Sequence, residues 1–348
     1  MNNPERPFRT RQGQTLPFRA LGFGAAPLGN LYRAISEDAA RSVLLSAFDA
    51  GYRYFDTAPL YGLGLSETRL NAFLRLIRET HPDEQILIST KIGRILKPTA
   101  PEKRTGIGFF FKTPSREVVF DYSYDGVMRS LEHSLERLGI DKIDIVLCHD
   151  VDIFTHGSKA ASDARIAEFM EGGYRALLEL RAAGVIKAIG AGINDSQVAE
   201  KLARAGDFDL FLLAGRYTLL EHDALETFLP YCEAKKIGVI IGGPFNSGIL
   251  ATGAVAGAFY NYEVAPPDIM SRVSKIETIC KAHDVPLASA ALAFPIAHPA
   301  VACIIPGGQT PVEVKRNVDT LSIKIPSRLW SDLKAERLIR SDAPVPAL

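Results

Sequence analysis

The chain has 348 residues, with 40 basic and 40 acidic side chains that give a formal net charge of zero, and 47% of its residues are hydrophobic. This composition is ordinary for a soluble globular protein, and the charge balance argues against nucleic acid or an anionic membrane surface as a partner. No apolar run reaches the roughly 18 residues that a membrane-spanning helix needs.

The start of the chain and its cysteines indicate a cytoplasmic protein. The segment from Met1 to Pro7 has no apolar core of a signal peptide. The four cysteines are scattered beside apolar residues, without metal-ligand or redox spacing. We therefore expect reduced core thiols, no metal site and a small-molecule substrate. The sequence carries no signal for the oligomeric state.

Strand and helix patterns alternate along the chain after a predicted N-terminal hairpin. The hairpin lies between Arg9 and Arg19 and is expected to plug one end of the fold. Strands are predicted at residues 21–25, 52–56, 86–91, 143–149, 186–191, 210–214, 238–241 and 303–305. Helices are predicted at residues 36–50, 66–79, 124–138, 172–183, 195–205, 224–236, 268–283 and 311–321, with a further packed C-terminal helix within residues 326–339. Glycine follows three of these helices, as it does at many helix C-termini.

Eight successive strand–helix units predict an α/β fold with a parallel sheet. The absence of an obvious linker favours a closed (β/α)8 TIM barrel that spans residues 1–348 as a single domain. A doubly wound open sheet is the alternative. Its dinucleotide fingerprint is incomplete, because Gly22 and Gly24 are followed by Pro27 at the third glycine position, and Asp56 lies too far along the chain to be the usual ribose ligand.

Two connections are much longer than the others, from residue 93 to 121 and from residue 244 to 267. The first contains Phe109-Phe110-Phe111, and the second is rich in Gly, Ala and Tyr. Both follow strands, so in a barrel both lie at the C-terminal face, where active sites form. We expect lids or binding loops there. The alternative is a disordered insertion, against which the aromatic residues argue.

Four polar side chains lie at or just beyond the ends of three predicted strands: Asp56, Tyr61, Lys91 and His149. The carboxyl ends of neighbouring parallel strands meet at one edge, so these groups are expected to lie together. An ammonium beside the phenol is expected to lower the pKa of Tyr61, and Asp56 would keep Lys91 charged. Such a set can move a proton to or from an oxygen, whereas hydride transfer needs a cofactor.

The motifs around these four residues resemble the aldo-keto reductase superfamily over essentially the whole chain. The resemblance rests on the segments Gly51-Tyr52-x-Tyr54-Phe55-Asp56-Thr57-Ala58-x-x-Tyr61-Gly62 followed by Glu67, Thr90-Lys91, Arg129-Ser130-Leu131-x-x-Ser134-Leu135-x-Arg137-Leu138-Gly139, Asp144-x-x-x-x-His149, Gly190-x-Gly192-x-Asn194, and Ile305-Pro306-Gly307 leading to Asn317. The resemblance implies a TIM barrel that binds NAD(P)H across its C-terminal face. It also implies Tyr61 as general acid/base, Asp56 and Lys91 as groups that tune it, and His149 as the group that orients the substrate oxygen.

The same resemblance implies a set of cofactor contacts. Asn194 would hold the nicotinamide carboxamide and Asn317 would contact the adenine. Further contacts are expected at Gly24, Ser247, Gly248, Pro306, Gly307, Gly308 and Glu313.

Departures from the family pattern concern both ends of the cofactor. Ala214 replaces a common Gln, and Gly242 replaces the aromatic residue that stacks under the nicotinamide, a role that Phe245 or Tyr217 could take instead. NADP-preferring relatives carry Lys and Arg where this chain has Gly307 and Glu313. A carboxylate repels a 2′-phosphate and can accept hydrogen bonds from a ribose hydroxyl, so we expect NAD rather than NADP. The alternative is that Glu313 is a solvated acid in the first turn of a helix.

Segments at residues 120–123, 213–220 and 242–248 look like the branch that contains D-threo-aldose 1-dehydrogenase, also known as L-fucose dehydrogenase, L-galactose dehydrogenase and pyridoxal 4-dehydrogenase. The resemblance implies oxidation of a cyclic hemiacetal, an aldose such as L-fucose, to its lactone. Pyridoxal, whose aldehyde also closes to a hemiacetal, and general aldehyde reduction are the alternatives. Phe111, Tyr260 and Tyr262 are candidate substrate contacts because they lie on the long loops, and Arg216 either reaches a sugar hydroxyl or pairs with a loop acid.

Two rivals from other classes remain open at this point. A non-catalytic cofactor sensor would keep the fold, but the intact set of four polar residues argues against it. A different TIM-barrel enzyme would use a metal or a Schiff-base lysine, with Lys91 as the nucleophile, but Asp56 alongside would keep that lysine protonated.

Overall fold

The computed structural model describes residues 3–105 and 108–346, so that residues 1–2, 106–107 and 347–348 lie outside the described chain. The first long connection, predicted as a lid or binding loop, is therefore described only on either side of residues 106–107. In chain order the strands are β1 (Phe8–Arg9), β2 (Thr15–Leu16), β3 (Phe23–Gly24), β4 (Tyr54–Asp56), β5 (Leu87–Ile92), β6 (Arg94–Pro98), β7 (Arg116–Phe120), β8 (Ile143–His149), β9 (Ile186–Ile193), β10 (Leu210–Ala214), β11 (Gly238–Gly242), β12 (Phe259–Tyr260), β13 (Glu263–Val264) and β14 (Val301–Ile305).

The α-helices surround the sheet formed by eight of these strands. They are α1 (Glu37–Asp49), α2 (Leu65–Thr80), α3 (Tyr124–Leu138), α4 (Ile153–His156), α5 (Lys159–Glu168), α6 (Tyr174–Ala182), α7 (Ser196–Ala205), α8 (Phe228–Lys235), α9 (Ile249–Thr252), α10 (Pro267–Ala282), α11 (Leu287–Ile296), α12 (Pro311–Leu321) and α13 (Ser327–Ala335).

The eight-stranded parallel sheet closes on itself. Its order is β14-β11-β10-β9-β8-β5-β4-β3. The two outer strands meet through a parallel bridge between Leu21 and Ile304, and the amide of Gly22 donates a 2.9 Å hydrogen bond to the Ile304 carbonyl. The predicted (β/α)8 barrel is therefore confirmed, and the open doubly wound sheet is wrong.

Side chains of the barrel strands alternate between two apolar regions. Tyr54 and Leu147 belong to a cluster inside the barrel, whereas Phe55 and Cys148 belong to the larger cluster between the barrel and the helices. This alternation follows from the two-residue period of a strand. It confirms that Cys148 faces away from the barrel axis, although it is the immediate neighbour of His149. All four cysteines are buried and free.

The predicted hairpin closes the amino end of the barrel. β1 and β2 pair in antiparallel fashion, and the chain that follows inserts Phe18 against Tyr54 with ring centroids 4.9 Å apart. Burial of these rings at the amino end leaves the carboxyl end of the barrel as the open one.

The sequence missed several described elements, namely β6, β7, α4, α5, α9, α11, β12 and β13. β6 and β7 form a hairpin within the first long connection, where residue pairs such as Arg94 and Phe120 face each other. α4 and α5 follow β8 and precede a π-helical turn at Phe169–Gly173, after which α6 begins. α11 is apolar on nearly every side, so it lacks the periodic pattern by which a helix is recognised.

The predicted C-terminal helix is present as α13, whose Trp330 is fully buried. Across residues 3–105 and 108–346, no helix is both long enough and apolar enough to cross a membrane.

Candidate active site

Three adjacent strands bring the predicted polar residues together at the carboxyl end of the barrel. Asp56 is the last residue of β4, His149 is the last of β8, and Lys91 lies one residue before the end of β5, which stands between them in the sheet. The Lys91 ammonium lies 2.8 and 3.0 Å from the two oxygens of Asp56, and it donates a 2.9 Å hydrogen bond to the Thr57 carbonyl. Lys91 is only 1% exposed, so this ion pair lies entirely inside the protein.

Tyr61 reaches the same point from the loop between β4 and α2. Its hydroxyl oxygen accepts a 3.1 Å hydrogen bond from Lys91, whose ammonium also lies 4.7 Å from the centre of the Tyr61 ring. The loop is held by a close approach between Gly62, with φ of +65°, and Gly29, where a Cβ on either residue would overlap the backbone of the other. Glycine at both positions therefore lets the loop pack tightly enough to bring the phenol to the lysine.

Burial raises the pKa of Tyr61 well above its ordinary value, the nearby carboxylates of Asp56 and Asp150 raise it further, and Arg94 opposes them. The direction is opposite to the sequence expectation that the ammonium would lower it. The main reason is burial of the phenol, and the negative charge of Asp56, the partner of Lys91, adds to it. The phenol is thus protonated in the ligand-free site.

The Asp56 carboxylate is fixed by a second set of hydroxyl groups. Ser89 donates a 2.7 Å hydrogen bond to Asp56 Oδ1, and the Ser89 hydroxyl is in turn 2.8 Å from the Tyr54 hydroxyl. Both of these side chains are fully buried. The carboxylate oxygens are therefore fully engaged by Lys91 and Ser89.

His149 stands beside Tyr61, with the two rings perpendicular and their centroids 6.1 Å apart. It is 4% exposed. Burial lowers the pKa of His149 well below its ordinary value, and the cations of Arg94 and Lys91 lower it further. The ring is therefore neutral, and its Nε2 lies 3.1 Å from Asp150 Oδ2.

A cleft of about 390 Å³ extends from Asp56 and Tyr61 across the carboxyl end of the barrel to Glu313. Seven of the nine predicted cofactor residues line it: Gly24, Ser247, Gly248, Pro306, Gly307, Gly308 and Glu313. The cleft thus joins the polar cluster at one end to the N-terminus of α12 at the other.

The two predicted asparagines are not among the residues that line this cleft. Asn194 donates a 3.0 Å hydrogen bond from Nδ2 to Asp150 Oδ1, and its backbone amide donates to Asp152 Oδ2 at 2.7 Å. Asn317 is buried and donates a 3.4 Å hydrogen bond to the carbonyl of Gly307. Both are placed next to cleft or cluster residues, and their contacts with a cofactor stay predictions.

Glu313 has partners of its own in the structure. Its Oε2 accepts a 2.7 Å hydrogen bond from the amide of Gln309, and its Oε1 lies 3.8 Å from a guanidinium nitrogen of Arg33. Thr310 caps the same helix end by accepting a hydrogen bond from the Glu313 amide. The residue therefore belongs to the first turn of α12, as the alternative interpretation holds, and also borders the cleft.

The cleft beside β10 and β11 is lined by small residues. Ala214, Gly242 and Gly243 face it, followed by Phe245. Tyr217, by contrast, is fully buried and packs against Phe294 with ring centroids 5.3 Å apart. Of the two rings suggested by the sequence as a floor for the nicotinamide, only Phe245 lines the cleft.

The predicted substrate contacts are distributed unevenly around the cleft. Tyr262 lines it. Phe111 is 50% exposed, and its neighbour Phe110 is the one whose ring lies 6.2 Å from that of Tyr61. Tyr260 is turned to Glu221, to which its hydroxyl donates a hydrogen bond.

Arg216 hydrogen-bonds to a backbone carbonyl and to an amide side chain, and its contact with a sugar hydroxyl stays a prediction. Its Nε donates a 2.8 Å hydrogen bond to the Asn194 carbonyl, and its Nη2 donates to Asn261 Oδ1 at 2.8 Å. The partner of Arg216 is thus an amide rather than a loop acid, and the contact ties the second long loop to the end of β9.

Sequence reasoning missed Arg94 and Asp150 next to the predicted cluster. Arg94 donates a 2.6 Å hydrogen bond to Asp150 Oδ2, and both residues are buried. Asp150 directly follows His149, so a carboxylate beside a strand-end histidine was the available signal. Across residues 3–105 and 108–346, no group of three or more His, Cys, Asp or Glu side chains could hold a metal ion.

The sequence was compared with protein families and with curated proteins. A sequence model described as "Aldo/keto reductase family" matches residues 20–336. The chain is 40% identical over 333 residues to pyridoxal 4-dehydrogenase of Microbacterium luteolum, which covers 93% of this chain and 95% of that protein. It is 39% identical over 337 residues to D-threo-aldose 1-dehydrogenase of Pseudomonas sp, which covers 96% and 98%.

Solved structures share the fold at low identity. An aldo-keto reductase from Bacillus halodurans in its holo form superposes with a TM-score of 0.72 at 22% identity, over 98% of each chain. An aldo/keto reductase from Klebsiella pneumoniae in complex with NADP and acetate superposes with a TM-score of 0.65 at 19% identity, over 99% of this chain and 100% of the other. At these identities the likeness concerns the barrel alone.

Proposed function

The chain belongs to the aldo/keto reductase family, and on that premise we propose that it oxidises a cyclic hemiacetal to its lactone with NAD. The observation that carries the proposal is the single cleft that joins Tyr61, hydrogen-bonded to Lys91, to the N-terminus of α12. The names of the two relatives at about 40% identity, an aldose dehydrogenase and a pyridoxal dehydrogenase, support oxidation of such a substrate.

The residues along the cleft fit a dinucleotide. Gly24 and Gly307 lie very close to other residues. A Cβ on Gly24 would lie 2.8 Å from the Ile305 carbonyl oxygen, and a Cβ on Gly307 would lie 2.7 Å from the Pro27 ring. A Cβ at Gly248, by contrast, would meet no atom within 4 Å. The N-terminus of α12 at the far end of the cleft favours a negatively charged group. Gly24, Gly248, Gly307 and Gly308 all line the cleft and would hold the cofactor, which would supply the hydride acceptor when bound.

Tyr61 and its neighbours carry out the proton transfer in this proposal. Oxidation would break the anomeric C–H bond, with the bound cofactor as hydride acceptor, and the hydroxyl O–H bond, whose proton would pass to the deprotonated Tyr61 oxygen, as the C=O bond of the lactone forms. Lys91 stabilises the Tyr61 oxygen in its deprotonated form through the 3.1 Å hydrogen bond. The neutral ring of His149 lies beside Tyr61 and would contact the same substrate oxygen.

Preference for NAD over NADP rests on Glu313. Its carboxylate borders the end of the cleft remote from Tyr61 and would repel a 2′-phosphate. Arg33, 3.8 Å away and largely exposed, is a nearby cation that could offset this repulsion. The proposal is that repulsion by the Glu313 carboxylate outweighs attraction by Arg33, because the hydrogen bond from the Gln309 amide fixes the carboxylate at the cleft.

Two substrate classes are carried forward. An aldose such as L-fucose, or another D-threo-type sugar, is the first. Pyridoxal is the second, favoured by the aromatic rings of Phe110 and Tyr262 near Tyr61 and in the cleft, on which a pyridine ring can stack. A general aldehyde reductase would need no hemiacetal at all.

The deciding experiment follows NAD reduction at 340 nm with a panel of aldoses and pyridoxal and identifies the product. Lactone formation supports the proposal, and the sugar class that turns over fastest identifies the substrate. The matched control is the methyl glycoside of each active sugar, which has no free anomeric hydroxyl and should be inert. Brisk reduction of open-chain aldehydes without turnover of any hemiacetal would falsify the proposal.

A further inference from the structure

The residue after His149 has an unusual backbone conformation that brings its side chain back to the active site. Asp150 has φ of +48°, in the left-handed region that non-glycine residues enter infrequently, although Asp tolerates it better than most. Successive residues of a strand normally face opposite sides. Here the turn at Asp150, held by a 2.9 Å hydrogen bond from its amide to the Gly192 carbonyl, lets the two side chains meet.

The Asp150 carboxylate is the centre of a buried hydrogen-bond network. Its Oδ2 accepts a 2.6 Å hydrogen bond from Arg94 and lies 3.1 Å from His149 Nε2, while its Oδ1 accepts a 3.0 Å hydrogen bond from Asn194. The partners come from β6, from the end of β8 and from the loop after β9. Asp150 thus connects three elements around the His149 ring.

Arg94 is itself held in place. It is the first residue of β6 and lies 4.9 Å from the ring of Phe120, its partner on β7. Its guanidinium is buried, with Asp150 as the carboxylate that pairs with it. The hairpin of β6 and β7 therefore holds the Arg94 guanidinium in place, and this guanidinium in turn holds Asp150.

The contacts of His149 depend on where its hydrogen lies. A neutral imidazole carries a hydrogen on one nitrogen only, and a carboxylate can only accept. The 3.1 Å distance from Nε2 to the Asp150 carboxylate favours a hydrogen on Nε2, which would leave the lone pair on Nδ1. Nδ1 has no hydrogen-bond partner within the described chain.

We propose that Asp150, held by Arg94, is a positioning residue that keeps the ring hydrogen of His149 on Nε2 and so fixes the orientation of the ring beside Tyr61. The inference rests on the proposed function only in assuming that His149 contacts the substrate. The placement of the hydrogen is a property of the protein alone.

The network has a defined response to pH. Burial raises the pKa of Asp150 to about 6, the neighbouring Asp152 raises it as well, and Arg94 and Lys91 oppose them. The titratable and charged groups around this carboxylate, on all elements packed against it, are Tyr61, Lys91, Arg94, Tyr122, Cys148, His149, Asp152, His156 and Tyr262. Protonation of Asp150 below about pH 6 would remove the negative charge that holds the His149 hydrogen on Nε2, so kcat/KM should fall as the pH drops through this range.

The test compares the full-length protein with Asp150→Asn, because Asn tolerates the left-handed conformation and removes the charge. Nitrogen NMR of protein labelled with ¹⁵N-histidine reports which ring nitrogen carries the hydrogen, and the His149 signals are assigned by their loss in His149→Asn. The parent should show the Nε2-protonated form at neutral pH. In Asp150→Asn this single form should be lost, kcat/KM should fall on the order of 10²-fold, and the acid limb near pH 6 should disappear.

Arg94 gives a second, directional test. Because Arg94 lowers the pKa of Asp150, Arg94→Met should move the acid limb of kcat/KM to higher pH, and Arg94→Lys should move it back. The matched control is Asp209→Asn, which removes another buried carboxylate, 2.7 Å from Arg181, next to the amino end of β10. It should lower stability without changing the histidine signals or the pH profile.

The result that overturns the inference is an unchanged His149 signature in Asp150→Asn, whether or not activity falls. A fall in activity with that signature intact would assign Asp150 a purely structural role. The NMR measurement needs no substrate, so failure of the proposed hemiacetal oxidation and failure of this inference give different results.

Discussion

The Lys91 ammonium lies 3.1 Å from the Tyr61 hydroxyl oxygen at the carboxyl end of the barrel, where the lysine side chain is buried away from water. Lys91 also forms an ion pair with Asp56 at this position. The local charge next to the phenol is therefore close to balanced, and burial decides the direction in which the pKa of Tyr61 moves. Each of the following predictions tests one part of this arrangement.

Tyr61→Phe removes the proton acceptor and leaves the ring. We expect kcat to fall by roughly 10²–10⁴-fold, the range of a positioned acid–base group, with little change in the affinity for NAD. Steady-state kinetics and fluorescence titration with NAD measure the two quantities. Tyr174→Phe, which removes a hydroxyl that accepts from the Asp207 amide near the amino end of β10, is the control and should keep full activity. Parent-like turnover by Tyr61→Phe would refute the role of the phenol.

The direction of the pKa shift predicts opposite pH profiles for the two reaction directions. A raised pKa means that Tyr61 holds its proton at neutral pH and loses it as the pH rises. Oxidation needs the deprotonated form as base and should accelerate with pH, whereas reduction of the lactone or an aldehyde needs the protonated form and should slow. Measurement of kcat against pH in both directions, with Tyr61→Phe as the reference that lacks the phenol, checks this. Oxidation that is fastest in acid contradicts it.

Lys91→Met should abolish activity and also destabilise the fold. Removing one partner of a buried ion pair leaves the Asp56 carboxylate uncompensated, which costs about 3–5 kcal/mol of the free energy of unfolding. The double variant Lys91→Met/Asp56→Asn should recover part of that loss. Urea denaturation measures both.

The control is Arg129→Met, which breaks the ion pair between Arg129 and Asp121. The Arg129 side chain is 53% exposed. It should cost less than about 1 kcal/mol, as exposed pairs do. Equal losses in Lys91→Met and Arg129→Met would show that burial of the catalytic pair has no energetic consequence.

Glu313 is predicted to set the choice between NAD and NADP. The parent should have the higher kcat/KM with NAD, and Glu313→Gln should reduce the NAD-to-NADP ratio about tenfold, or about 1.4 kcal/mol, because the repelling charge is removed. Gln can still accept the hydrogen bond from the Gln309 amide, so the helix end should stay intact. Arg33→Ala should shift the ratio further toward NAD. A parent that prefers NADP overturns the assignment.

Phe110 rather than Phe111 is expected to contact the substrate. The Phe110 ring lies 6.2 Å from that of Tyr61, while Phe111 is half exposed. Phe110→Ala should raise KM about tenfold, or about 1.4 kcal/mol, through lost aromatic contact. Phe111→Ala, one residue along the same loop, is the matched control and should change KM little. The reverse pattern would restore the original prediction for Phe111.

The sequence by itself determined the barrel and the four polar residues at its carboxyl end. It could do so because strand and helix patterns are local and repeat eight times, and because consecutive parallel strands place their ends at one edge. The ends of β4, β5 and β8 therefore had to bring Asp56, Lys91 and His149 together. Helix ends at glycines such as Gly139, with φ of +62°, were readable for the same local reason.

Only the tertiary structure decided which groups surround that cluster. Arg94 lies in a hairpin whose pairing depends on contacts between residues far apart in sequence, and Asp150 faces His149 only because of its left-handed backbone. Phe110 and Phe111 cannot be distinguished in the sequence, yet the Phe110 ring lies near Tyr61 and the Phe111 ring is exposed to solvent. The pKa of Tyr61 likewise depends on burial and on every charge within reach, and these are set by the folded chain rather than by the spacing of residues along it.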